Sequence, residues 1–153
     1  MMKKFILNLI IFILITNCGY TPLYSVKNNI NFKIGEVNIT GDRDLNQNII
    51  NQLNNLKTKN KNNTIIYNLT INTGIKKIVT SKDSKGNPKT YKMISTINLT
   101  TTKDGKEYNT GLESVENYND ISSKFELENF EKNLKRNSAS KITQEIIVYL
   151  ITL

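Results

Sequence analysis

The chain has 153 residues, with 21 Lys and Arg against 13 Asp and Glu, a formal net charge of +8, no histidine and one cysteine. Without histidine it lacks the usual general base and the commonest metal ligand, and a lone cysteine excludes a disulfide within the chain. The length fits one compact domain and the basic balance favours an anionic partner, although an individual lysine on an exposed loop is ordinarily just solvated.

Residues 1–17 have the layout of an export signal. Lys3 and Lys4 precede an apolar run over residues 5–15, which Asn8 interrupts. That run is short of the roughly 20 residues that a permanent membrane-spanning helix needs, so it reads as the hydrophobic core of a cleaved signal. The stretch Ile15-Thr16-Asn17-Cys18 resembles the lipobox of bacterial lipoproteins, in which the cysteine is acylated and becomes the mature N-terminus. Asn17 stands where that signature usually has Gly, Ala or Ser. Lipidation is therefore expected at Cys18, on a mature chain of 153 − 17 = 136 residues. A single acyl chain binds membranes only marginally, and the several chains of a lipoprotein cysteine make a stable anchor.

Residues 18–31 are expected to form the anchor and an extended strap, because Pro22 biases Thr21 away from helix. The remaining residues, 32–153, are expected to make a single domain. Residues 32–39 alternate through Phe32, Ile34, Val37 and Ile39, with a phase shift at Gly35-Glu36 that suggests a bulged first strand. Gly41-Asp42-Arg43-Asp44 stops that strand and puts acidic residues where a helix begins. Leu45, Ile49, Ile50, Leu53 and Leu56 then give one helical stripe, whose opposite face is filled with asparagine and glutamine. Such a helix is intrinsically weak and needs a sheet to lie on. Lys57, Lys59 and Lys61 fall near its C-terminus, where they complement the helix dipole.

Three strands are expected next. The second alternates through Ile65, Tyr67, Leu69 and Ile71, breaks at Gly74 and resumes through Ile75, Lys77 and Val79. Residues 82–88, KDSKGNP, are a dense turn signal before a third strand with Tyr91, Met93, Ser95, Ile97 and Leu99 on one face. Asp104-Gly105 marks a tight hairpin turn, and the fourth strand follows over residues 107–118. Ser123 with Glu126 fits a capping box. A final helix then carries Phe130, Leu134, Ile142, Ile146, Tyr149, Leu150 and Leu153 on one stripe, with Ala139 leaving a gap for close approach. The order β-α-β-β-β-α predicts an α+β fold, a four-stranded and mainly antiparallel sheet with two helices on one face.

No motif demands catalysis. The acidic residues fall at helix starts (Asp42, Asp44, Glu126, Glu128) or in turns (Asp83, Asp104), where capping and solvation account for them. A binding protein is expected rather than an enzyme, with no catalytic residue, metal or cofactor. A nucleic-acid partner is set aside, since no stacking motif interleaves with the lysines and an exported chain would rarely meet one.

The opening of the mature chain, Cys18-Gly19-Tyr20-Thr21-Pro22-Leu23-Tyr24, resembles that of the LPS-assembly lipoprotein family LptE. The element order is similar to that family's, as is the segment with Tyr118 and Ser122-Ser123-Lys124-Phe125 before the last helix. The resemblance implies a lipid-anchored protein on the periplasmic side of the outer membrane. It also implies a non-catalytic plug and assembly partner for the LptD-like β-barrel that inserts lipopolysaccharide. Lipopolysaccharide carries phosphates, which lysines contact as point charges. The candidates are Lys82, Lys85 and Lys89 at the first hairpin with Lys103 and Lys106 at the second, expected to cluster at one end of the sheet. Gly19 carries no acidic retention signal, in keeping with outer-membrane delivery. The alternative is another envelope lipoprotein, such as a lipid-transport accessory or a secretin pilot protein.

Overall fold

The computed structural model describes residues 31–57 and 65–153. The signal, Cys18, the strap up to residue 30, and Lys59 and Lys61 lie outside the described residues.

Six elements follow one another: β1 (Phe32–Thr40), α1 (Arg43–Lys57), β2 (Ile65–Lys82), β3 (Pro88–Lys103), β4 (Lys106–Asn119) and α2 (Lys124–Thr152). The strands form one sheet in the order β1-β2-β3-β4. β1 runs parallel to β2, as a helical crossover requires, whereas β2, β3 and β4 form an antiparallel meander. The fold is α+β with a mixed sheet, in the expected order.

Alternation explains which face of the sheet is covered. Phe32 and Ile34 are buried, and a register shift between Ile34 and Val37 then returns Val37 and Ile39 to the same side. Without that bulge both would point to the opposite face. Tyr67, Leu69 and Ile71 of β2 and Ile97 and Leu99 of β3 complete the sheet side of the main core. Leu45, Ile49 and Leu53 of α1 and Ala139, Ile142, Ile146 and Leu150 of α2 close it from above. Each fully buried aliphatic side chain contributes about 2 kcal/mol of transfer free energy, so a helix as rich in asparagine as α1 is held by its stripe.

A second, smaller cluster lies further along the sheet, where Tyr91, Met93 and Tyr118 meet Leu127 and Leu134. Ile75 packs against both clusters. Near it the interior is small and polar: Ser95 and Ser114 are cross-strand neighbours, and both are buried, as is Ser138 of α2. β2 runs through Gly74 as one long strand, as expected. Gly74 pairs with Thr96, and a side chain there would come within 2.9 Å of Thr96 Oγ1, so the glycine serves a close cross-strand contact.

The helix ends follow the local signals. Asp42 Oδ1 accepts from Leu45 N–H at 2.9 Å, capping α1. Ser123 Oγ accepts from Glu126 N–H at 3.3 Å, capping α2.

Candidate functional site

The β2–β3 hairpin is a braced basic tip. Asp83 Oδ1 accepts from Lys85 N–H at 2.9 Å and from Asn87 N–H at 2.8 Å, and Asn87 Nδ2 donates to Asp83 Oδ2 at 3.1 Å. The Asn87 side chain and these backbone donors hold the Asp83 carboxyl below its ordinary pKa. Gly86, with a φ of 86°, allows the chain to reverse. Around this turn Lys82, Lys85 and Lys89 are all exposed, so three positive charges stand on a rigid support.

The β3–β4 hairpin is tighter. Asp104 and Gly105 have φ values of 49° and 76°, the paired positive dihedrals of a two-residue turn, and Lys103 pairs with Lys106 across it. Lys106 is exposed. Lys103 is engaged internally: its Nζ donates to the Leu153 backbone oxygen at 2.9 Å and lies 5.4 Å from the Tyr67 ring centroid. A cation there complements the C-terminal end of α2.

The five candidate lysines therefore do not form one cluster. Consecutive turns of a meander lie at opposite ends, and β3 with its 16 residues separates the two groups. At about 3.3 Å per residue that is about 50 Å. Lys82, Lys85 and Lys89 come together; Lys103 and Lys106 belong to the other end, where β1 begins, since Phe32 pairs with Ile65 at the start of β2.

Between the ends, the sheet face away from the helices is polar. Asn68, Thr70 and Asn72 of β2 and Thr96 and Asn98 of β3 are exposed on it. Side chains on this face also bond across strands: Thr100 Oγ1 bonds to Asn109 Oδ1 at 2.6 Å, and Asn72 Nδ2 donates to Thr40 Oγ1 at 3.1 Å.

Two ionic networks under α2 escape the spacing rules. Lys135 Nζ binds Asp42 Oδ2 at 3.1 Å and Asp44 Oδ2 at 3.2 Å, tying α2 to the start of α1. Burial opposes the charge on Lys135, but the hydrogen bonds and charges of the two carboxylates outweigh it and raise the pKa. Glu131 Oε1 accepts from Lys77 Nζ and from the Tyr118 hydroxyl at 2.7 Å. Lys77 also lies 4.1 Å from the Tyr91 ring centroid, and Tyr91 stacks on Tyr118 at 5.4 Å. Burial, followed by the hydrogen bond and charge of Glu131, pushes the Tyr118 hydroxyl well above the ordinary phenol range. Their signal is positional: Glu131 and Lys135 precede Ala139 at intervals of four, on the inward stripe where apolar residues are expected.

Among the described residues no group of three or more Asp, Glu, His or Cys is placed to hold a metal. No described helix is long and apolar enough to cross a membrane. The site offers point charges and hydrogen bonds on a stiff frame.

No protein-family model and no curated protein matches the chain. Solved structures do resemble it. Rare lipoprotein B from Shewanella oneidensis is similar over 77% of this chain and 98% of that one, at 17% identity and a TM-score of 0.53. A minor lipoprotein from Acinetobacter baumannii is similar over 76% of this chain and 87% of that one, at 14% identity and a TM-score of 0.54. Uncharacterized lipoprotein B from Nitrosomonas europaea is similar over 79% and 88%, at 9% identity and a TM-score of 0.52. At these identities the likeness is one of fold, and the two-helix, four-stranded α+β fold of this chain is the fold of those bacterial lipoproteins.

Proposed function

We propose that the protein is an outer-membrane lipoprotein, acylated at Cys18, that plugs and helps to assemble the LptD-like β-barrel inserting lipopolysaccharide. In this reading it is a binding protein and not an enzyme, and it acts in lipopolysaccharide transport from the periplasmic side. The lipobox-like stretch at Cys18 and a fold shared with solved bacterial lipoproteins support the envelope assignment. The polar sheet face supports a place in a water-lined lumen, where exposed Asn and Thr side chains find hydrogen-bond partners.

The observation that carries the reading is the position of the braced tip. The chain enters β1 at the end where β2 starts, and Lys82 stands at the other end of the 18-residue β2, about 55 Å away. Lys82, Lys85 and Lys89 thus stand at the end of the sheet away from the start of β1, exposed and available to phosphates of a lipid in transit. Each lysine near an anionic lipid surface contributes about 1 kcal/mol. Changing all three to glutamate should weaken lipopolysaccharide binding by about 100-fold or more, with the thermal unfolding curve unmoved. Unchanged binding by a folded triple variant would remove the hairpin from the proposed site.

A further inference from the structure

The sheet has edges of unequal character. β1 carries a register shift at Gly35, where a side chain would come within 2.3 Å of Asn68 Oδ1, and has Lys33 beside it. The part of β2 beyond β1 carries Lys76, Lys77 and Lys82 and has register shifts around Ser81. Bulges and lysines are devices that keep an edge from pairing with a foreign strand. β4 has neither. All 14 of its residues pair with β3 without a register shift, it contains no proline, and its one lysine is its first residue, Lys106. Among the described residues, no backbone group beyond the β3 ladder bonds to its outer side.

β4 also differs in charge from the rest of the chain. Lys106 against Glu107, Glu113 and Glu116 gives 1 − 3 = −2, in a protein whose total is +8. On the polar sheet face β4 presents, in order, Glu107, Asn109, Gly111, Glu113, Val115 and Asn117, all exposed. Val115 is 39% exposed and is the one large apolar side chain in that row. Gly111 leaves a gap that an aromatic side chain from a neighbouring strand can cover.

We infer that the outer edge of β4 is a strand-addition site for an extended basic segment of another protein. The segment lies antiparallel to β4 with a β-branched side chain opposite Val115 and Lys or Arg opposite Glu113 and Glu107. The backbone ladder supplies affinity, and the alternate side chains supply specificity. A second copy of this chain is a poor occupant, because pairing two β4 strands brings like charges together along the acidic edge, which is unfavourable. The chain's own residues 18–31 are a poor match too, since they offer one lysine, Lys27, and include Pro22, which lacks a donor.

The test uses the full acylated chain in detergent and a synthetic peptide, Val-Thr-Lys-Thr-Tyr-Thr-Thr-Thr-Lys, written to this register. Its counterpart carries Glu in place of both Lys. Amide hydrogen exchange is followed across the sheet. The basic peptide should slow exchange in β4 by about tenfold or more and leave the β1 and β2 edges unchanged, and the acidic peptide should do neither. The double variant Glu107→Lys, Glu113→Lys should bind the basic peptide about tenfold more weakly while keeping the same far-ultraviolet circular dichroism. Equal protection by both peptides, protection at β1 or β2 instead, or none at all would overturn the assignment. So would an already protected β4 that becomes unprotected when residues 19–30 are deleted, or dimerisation that alone accounts for protection.

Discussion

Gly41 stands where β1 hands over to α1, and a backbone oxygen excludes any side chain there. Its φ is 109°, and a Cβ would lie 1.9 Å from Thr73 O. The neighbouring contacts depend on that closeness: Asp42 N–H donates to Thr73 Oγ1 at 2.9 Å, and Thr73 Oγ1 donates to Asn46 Oδ1 at 2.6 Å. Gly41→Ala should therefore cost about 3 kcal/mol, the sum of a strained dihedral and a forced displacement, read as a lowered urea midpoint at unchanged slope. A loss under about 1 kcal/mol would show that the strand and helix can part here at little cost. Tyr118 gives a pH-dependent counterpart. Its raised pKa means that the folded state holds the proton more tightly than the unfolded chain does, so the stabilisation is complete below the ordinary phenol value of 10.0 and is lost as pH rises through the higher folded value. Above about pH 10 the wild type should lose stability faster than Tyr118→Phe, which should be about 1 kcal/mol less stable at neutral pH through the lost bond to Glu131. Parallel pH profiles for the two proteins would contradict that account.

At the scale of elements, α2 shows what periodicity makes legible and what it does not. Ile142, Ile146 and Leu150 are buried as the stripe predicts, because a helix resting on a sheet repeats its inward face every three to four residues. Phe130 is 39% exposed. It stands about 120° around the helix from Ile142, so it reaches only the flank, with its ring 5.7 Å from that of Tyr118. Leu127 and Leu134 make the packing contacts at this end of α2, and Glu131 and Lys135 bind the ionic partners. The strands were legible throughout, since one buried face fixes the phase of each, and the Asp-Gly turn and both helix caps followed from local chemistry. The division of the lysines between two ends is a property of the meander, which turns at alternate ends, and nothing local to either turn signals it. Between the two apolar clusters the hydroxyls of Ser95 and Ser138 are buried without a hydrogen-bond partner. Ser138→Ala removes one of them and improves helix propensity, so it should leave stability equal or raise it by up to about 1 kcal/mol on thermal unfolding. A loss of more than about 1 kcal/mol would mean that the hydroxyl has a bonded partner.

For the whole molecule, the two-ended layout gives the parts their order. The chain enters at the end that holds the start of β1, the β3–β4 turn and the close of α2, and the braced β2–β3 tip lies at the far end. Helices cover one face of the sheet; the other carries exposed Asn and Thr, with Ile66 and Val115 among them. In the proposed role such a body acts by filling space and presenting charge. The LptD-like barrel is therefore the partner on which the proposal stands. Purification of the acylated protein from detergent-solubilised outer membranes should bring down, in about equal amount, one large β-barrel that inserts lipopolysaccharide, whereas recovery of an inner-membrane transporter or a secretin instead would contradict the account.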